Sequence, residues 1–239
     1  MSSTTADTGA RSAEELEALA LRAGRDLEEA DAQDVLRWAA ETFGKRFCVT
    51  SSMADAVVIH LASTVFPGVD VLFLDTGYHF PETIGTRDAV AATMNVNVIT
   101  LTPRQTVAEQ DAEYGPGLYA RNPDLCCALR KVEPLERGLR EYDAWATGLR
   151  RDESPTRANT PVVGWDARRG KVKIAPIARW TQDRVDAYVA EHGVLLNPLL
   201  WDGYASIGCA PCTRRVSPGE DPRAGRWAGT AKTECGLHT

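Results

Sequence analysis

The stretch Arg46-Phe47-Cys48-Val49-Thr50-Ser51-Ser52-Met53-Ala54-Asp55 decides the fold. Its first five residues make a short apolar strand. Ser51 to Asp55 form a polar turn, and Val57, Val58, Leu61 and Ala62 then recur at helical spacing. The pattern repeats: residues 69–74 read as a strand, 75–82 as a polar link, 81–93 as a helix and 96–101 as a strand. Such alternation predicts an α/β protein built on an open, mainly parallel sheet, with right-handed crossovers and helices on both faces.

Upstream, residues 13–23 and 31–43 have helical spacing, the second with Asp31 as N-cap and Val35, Leu36, Ala39, Ala40 and Phe43 on one face. Downstream, helices are expected over 105–113, over 125–140 with a bend near Pro134, and over 182–192. Strands are expected over 142–147 and 171–174, with 153–170 as a polar loop. Residues 1–12 read as a disordered tail, 13–214 as the α/β domain, and 215–239, opening on the Pro/Gly-rich run Ser217 to Pro222, as a flexible segment.

In open α/β sheets ligands bind beyond the carboxyl ends of the strands. Three polar segments fall there: 50–55, 75–82 and 147–152. Ser51 to Asp55 opens a helix and offers hydroxyls and free N–H groups to an anion, with an ordinary N-cap as the plainer alternative. It lacks the Gly-rich pattern of a triphosphate loop. Arg150 and Arg151 end a strand, and Arg223 and Arg226 precede the last cysteine. Their forked donors suit phosphate or sulfate oxygens.

The 239 residues carry a net charge of -6, which argues against a nucleic-acid partner. The charge is uneven: residues 1–125 have 9 Lys/Arg against 19 Asp/Glu, and residues 126–239 have 18 against 14. A positive half on an acidic chain points to a local anionic ligand. No apolar run is long enough to span a membrane. Met1 to Gly9 has neither a basic start nor an apolar stretch, so a cytoplasmic location is expected.

Six cysteines in a reducing compartment point to metal or redox chemistry. Cys48, between Phe47 and Val49, reads as an inert core residue. Cys126 and Cys127 are adjacent, with α-carbons ~3.8 Å apart, so a bridge between them would be strained. With Cys209-Ala210-Pro211-Cys212 they make a four-thiolate site for zinc or an iron–sulfur cluster. Adjacent cysteines wrap awkwardly round one ion but can each take a corner of a cubane, which favours the cluster. Lys131, four residues after Cys127, shares its helix face and is placed to bridge an anionic cluster to an anionic substrate. Cys235 stands alone beyond the loose segment, with Lys232 and His238 each three residues away; that charge would favour the nucleophilic thiolate, and a stray surface cysteine on a frayed tail is the plainer alternative.

Cys126-Cys127-Ala128-Leu129-Arg130-Lys131, Gly208-Cys209-Ala210-Pro211-Cys212 and Glu234-Cys235-Gly236-Leu237-His238 together resemble the assimilatory sulfonucleotide reductases, in the iron–sulfur adenylylsulfate (APS) branch. Leu74-Asp75-Thr76-Gly77-Tyr78-His79 and Thr147-Gly148-Leu149-Arg150-Arg151 match as well, so the resemblance spans about residues 45–239. It implies an adenine-nucleotide α-hydrolase-like fold and a [4Fe-4S] cluster on Cys126, Cys127, Cys209 and Cys212. It further implies attack by Cys235 on the sulfur of adenosine 5'-phosphosulfate, leaving AMP and an S-sulfocysteine from which thioredoxin releases sulfite. Ribose and adenine are expected against Ser51, Asp55 and Leu74 to Gly77. Lys131, Arg150, Arg151, Arg223, Arg226 and His238 are expected to neutralise the phosphosulfate. Two other readings stay open: a phosphoadenylylsulfate (PAPS) reductase without a cluster, and a non-catalytic zinc or cluster module that binds a partner protein.

Overall fold

The computed structural model describes residues 11–230 and 232–238. Its sheet has six strands in the order β3-β2-β1-β4-β6-β5. They are β1 (Phe47–Ser51), β2 (Val69–Leu74), β3 (Val96–Leu101), β4 (Ala144–Ala146), β5 (Val163–Asp166) and β6 (Lys171–Ile174). β1 pairs in parallel with β2 and β4, β2 with β3, and β4 with β6, whereas β5 runs antiparallel to β6. The chain therefore builds outward from β1 to β3 and returns to the other side of β1. That reversal opens a crevice beyond the carboxyl ends of β1 and β4.

The helices are α1 (Ala13–Asp26), α2 (Ala32–Phe43), α3 (Val57–Val65), α4 (Pro81–Thr93), α5 (Val107–Tyr114), α6 (Leu118–Arg121), α7 (Pro123–Cys127), α8 (Glu133–Gly138) and α9 (Gln182–His192). Strand alternation divides the core between the two faces. Phe47, Val49, Val71, Phe73, Ala144 and Ala146 pack with residues of α1, α2, α3, α4 and α9. Cys48, Leu72 and Trp145 point to the other face, where α8 supplies Leu135 and the next turn Leu139. Helices lie on both faces as expected, but unequally. Cys48 is a core residue, fully buried, its thiol pushed well above the ordinary range by desolvation.

The bend expected at Pro134 comes one turn earlier. Ala128–Val132 winds as a π turn between α7 and α8. Pro134 has no N–H to return to the carbonyl of Arg130, so the helical ladder is open there. This turn carries Arg130 and Lys131, both buried.

Three expectations need correction. Residues 153–170 are not all loop, because β5 lies within them. Arg11 and Ser12, assigned to a loose terminus, are engaged: Arg11 donates to the carbonyl of Thr42, and Ser12 caps α1 in a capping box with Glu15. Residues 1–10 of that tail lie outside the described residues. The described part of 215–239 has no helix or strand, yet it folds back onto the domain through the contacts given below.

Candidate active site

The turn after β1 is fixed by its own side chains. Ser51 Oγ accepts the N–H of Met53 at 3.0 Å, and Met53 adopts φ 58° with its side chain fully buried. Asp55 accepts the N–H of Val57 at 3.0 Å in an Asx turn that leads into α3. Burial raises the pKa of Asp55, and the cation of Arg150 is among the groups opposing that rise. Buried Asn197 holds the carbonyl of Met53 and the hydroxyl of Thr83, each at 3.0 Å. Arg150 is bound by Asp152 at 3.0 Å and Gln182 at 2.7 Å. Ser51, Asp55 and Arg150 thus gather at the ends of β1 and β4. Arg151 does not join them: it is tied to Glu28 and to the carbonyl of Thr160.

The loop after β2 leads to the thiols. Asp75 accepts the N–H of Gly77 at 3.0 Å, and Gly77 sits at φ 74°. A β-carbon there would also come within 3.0 Å of the Arg130 guanidinium, so glycine is required on both counts. Arg130 is buried and donates to the carbonyl of Thr76 and to Gln110. The carbonyl of Leu74 accepts from His79 at 2.8 Å. Thr76 Oγ1 lies 3.2 Å from Cys209 Sγ, and the N–H of Ala210 donates to the carbonyl of Tyr78 at 2.7 Å. These bonds stitch the β2 loop to the C-x-x-C turn.

Cys126, Cys127, Cys209 and Cys212 line one pocket with Tyr78, Tyr119, Pro123, Arg130 and Lys131. Burial, then the neighbouring thiols, push Cys126 up to about 12 and Cys212 up to about 11. Among the described residues, no group of three or more His, Cys, Asp or Glu closes on a single-ion geometry.

Lys131 serves both this pocket and the tail. Burial alone would lower its pKa, but Cys209, Cys235 and Cys127 outweigh that and hold it above the ordinary lysine value. Cys235 is thereby brought into electrostatic range of Lys131 and Cys127. Arg226 lies over the ring of Trp227 and donates to Ser206 at 3.3 Å and the carbonyl of Ile207 at 3.2 Å. A β-carbon at Gly208 would meet that guanidinium and require Arg226 to shift. The N–H of Trp227 donates to the carbonyl of Cys212 at 3.0 Å, folding the chain over the C-x-x-C turn. Lys232 is ion-paired with Asp124.

Beyond Cys235 the tail crosses a cleft of about 310 Å³ lined by Thr156, Arg157, Trp165, Lys173, Glu234 and His238, among others. Arg223 meets Glu234 at 3.1 Å and the carbonyl of Thr233 at 2.9 Å. Lys173 donates to the carbonyl of His238 at 3.2 Å and is lowered to about 8, chiefly by burial. Leu237 packs against the cluster that holds Trp145.

Comparison with known proteins bears on this arrangement. The model of the phosphoadenosine phosphosulfate reductase domain matches residues 46–215. The adenosine 5'-phosphosulfate reductase of Streptomyces coelicolor is 79% identical over 95% of this chain and 97% of its own. That of Mycolicibacterium smegmatis is 57% identical over 94% and 95%. The chain belongs to the sulfonucleotide reductases, in the adenosine 5'-phosphosulfate branch.

This sulfonucleotide reductase is therefore an oxidoreductase. A crystal structure of phosphoadenylyl-sulfate reductase from Candida auris superposes with TM-score 0.69 and 32% identity, covering 80% of this chain and 94% of that one. The FMN adenylyltransferase of Candida glabrata, at TM-score 0.53 and 10% identity over 84% and 73%, shares the fold alone. Several residues that line or brace this candidate site carry no signal of their own in the sequence. Arg157 and Lys173 fell in or beside a stretch dismissed as loop, and Thr76 and Arg130 were quoted only as parts of motifs. The spacing of Glu153 and Arg157 was the available signal for Arg157.

Proposed function

We propose that this reductase converts adenosine 5'-phosphosulfate to sulfite and AMP, with Cys235 as nucleophile. The thiolate of Cys235 attacks the sulfur, an S–S bond forms, and the S–O bond to the phosphate breaks as AMP leaves. A dithiol protein of the thioredoxin type then attacks the Cys235 sulfur. Sulfite departs with its electron pair, and the second thiol resolves the mixed disulfide, so the two electrons come from the dithiol. The carrying observation is the seating of the tail that bears Cys235 beside the cysteine pocket: Lys232 pairs with Asp124, and the N–H of Trp227 holds the carbonyl of Cys212.

Two anions must meet in the first step, and fixed cations make that feasible. Lys131 is buried, is held in its charged form by the surrounding thiols, and lies within electrostatic range of Cys235. Arg226, which acts on the charge of Lys131, is the second cation at this end. The nucleoside is assigned to the crevice at Ser51, Asp55, Leu74 and Gly77, with Arg150 over the β1 and β4 ends. Arg223 and His238 reach the substrate only from the seated tail. Arg151 is the weakest of the candidate substrate contacts, since Glu28 already occupies it.

The donor set fits a [4Fe-4S] cluster: four thiols on two segments line one pocket, with Lys131 and Arg130 as buried countercharges. When bound, the cluster supplies a fixed anionic scaffold that holds both cysteine segments and the lysine. All six cysteines are unbridged, in keeping with a reducing cytoplasm, and no helix among the described residues is long and apolar enough to cross a membrane. The test is incubation with adenosine 5'-phosphosulfate and no reductant, followed by intact mass and peptide mapping. One sulfonate on Cys235 supports the reading, and an adduct elsewhere refutes it. Turnover with the 3'-phosphorylated nucleotide should be slower; equal or faster use would assign the wrong substrate.

A further inference from the structure

We infer that Glu234 is a positioning residue for Cys235, held by an arginine clamp that sets whether the tail is seated; the inference rests on the reading of Cys235 above. Glu234 immediately precedes the nucleophile. Its Oε1 accepts from Arg157 Nε at 2.9 Å and Thr156 Oγ1 at 3.3 Å. Its Oε2 accepts from Arg157 Nη2 at 2.9 Å and lies 3.1 Å from Arg223 Nη2. Three hydrogen bonds and the adjacent Arg223 charge occupy most of what a carboxylate accepts.

The clamp is preformed from two sides. Arg157 Nη1 is bound to Glu153 at 2.6 Å, and Glu153 also accepts the N–H of Arg150 at 3.0 Å. Arg157 is thus anchored to the segment leaving β4. Arg223 comes from the stretch that folds over the C-x-x-C turn and also holds the carbonyl of Thr233 at 2.9 Å. The seated tail spans the two through Glu234, the residue before Cys235. Exposed ion pairs contribute little, but the side chains of Arg157, Arg223 and Glu234 are only 13%, 14% and 14% exposed. Removing one charge strands the others in a poorly hydrated place, so the effect is large.

The test uses the full, cluster-loaded chain and the variants Glu234→Gln, Arg157→Gln and Arg157→Lys. Two rates are read at Cys235 by peptide mapping: alkylation by N-ethylmaleimide, and S-sulfonation in a single turnover with adenosine 5'-phosphosulfate. Glu234→Gln and Arg157→Gln should speed alkylation and slow sulfonation, each by about tenfold or more, with nucleotide affinity changed by less than about threefold. Arg157→Lys should recover part of both, and unchanged melting midpoints separate these effects from misfolding. Unchanged alkylation in both glutamine variants, or a loss confined to nucleotide affinity, overturns the clamp. Absence of sulfonation on Cys235 in the unaltered chain refutes the nucleophile assignment instead, and the alkylation arm then still decides whether the clamp exists.

Discussion

The imidazole of His238 lies nearly parallel to the indole of Trp145, with ring centroids 5.8 Å apart and planes at 12°. Trp145 is fully buried on the sheet face to which α8 brings Leu135, yet its roof comes from the far end of the chain. Leu237 joins its cluster, and the cations of Arg169 and Lys173 stand 5.7 and 5.4 Å from its ring centroid. The tail does for β4 what a helix would do elsewhere. Deleting residues 233–239 should expose Trp145 and shift its emission to the red, at a stability cost of about 2 kcal/mol for the lost apolar burial. The shift should vanish in a Trp145→Phe background.

Seating of the tail should depend on pH. Burial first, then Lys173, Arg157, Arg169 and Arg223, hold the His238 pKa well below its usual value. Glu234, paired with Arg157, and Asp166, paired with Arg169, are the anions of the same neighbourhood. A released tail titrates near the ordinary histidine value of about 6.5, so below that pH the released form binds more protons than the seated one. Seating is therefore full above about pH 6.5 and weakens as pH falls toward the seated-state pKa. Trp145 emission followed from pH 7.5 to 5.5 should show the step, and His238→Gln should remove it.

The four pocket cysteines should hold about four irons and four sulfides per chain. Replacing Cys126, Cys127, Cys209 or Cys212 by Ser should bleach the brown protein and lower its iron content, as absorbance and metal analysis would record. Cys48→Ser should keep its iron while costing about 1–3 kcal/mol, because it buries a hydroxyl on the sheet. A colourless chain with one tightly held zinc would reverse the cofactor assignment.

Lys131→Ala should leave the tail seated and slow sulfonation of Cys235 by about 100- to 1,000-fold, the usual effect of removing one fixed stabilising charge. The raised pKa of Lys131 keeps it protonated through neutral pH, so it should contribute no limb to the rate profile between pH 6 and 9. Single-turnover rates across that range test both points. Lys131→Arg should restore little, since a planar fork does not fit where a compact ammonium sits among thiols.

β2, α4, β3, β6 and α9 run over the residues that the sequence pattern assigns to them, each bounded by polar, glycine or proline turn residues. β5 was illegible for the opposite reason. Val163-Gly164-Trp165-Asp166 is short, contains glycine, and buries Val163 and Asp166 at its two ends, so it shows no apolar alternation. The thiols drew attention because four cysteines in two tight groups have few other uses. Arg157 did not, since its partner Glu234 lies 77 residues away and only the folded tail brings them together. Arg151 misled for the same reason: an arginine at a strand end looks like an anion site until Glu28 is seen beside it.

Cys235→Ser separates binding from chemistry. The crevice at Ser51, Asp55 and Arg150 draws nothing from the tail, so the nucleotide should bind with affinity within about threefold of the unaltered chain. The iron should stay, because Cys235 lies outside the set that lines the cysteine pocket. Sulfite production should nonetheless fall below detection, because a serine hydroxyl is a weak nucleophile at neutral pH without a base to activate it. The side chains nearest in kind, Lys131 and Arg226, are cations and cannot accept its proton. Calorimetric titration with AMP, metal analysis and a sulfite assay on one preparation would check all three outcomes. Retained turnover would mean that another thiol carries the sulfonate; lost nucleotide binding would mean that the tail helps to build the crevice itself.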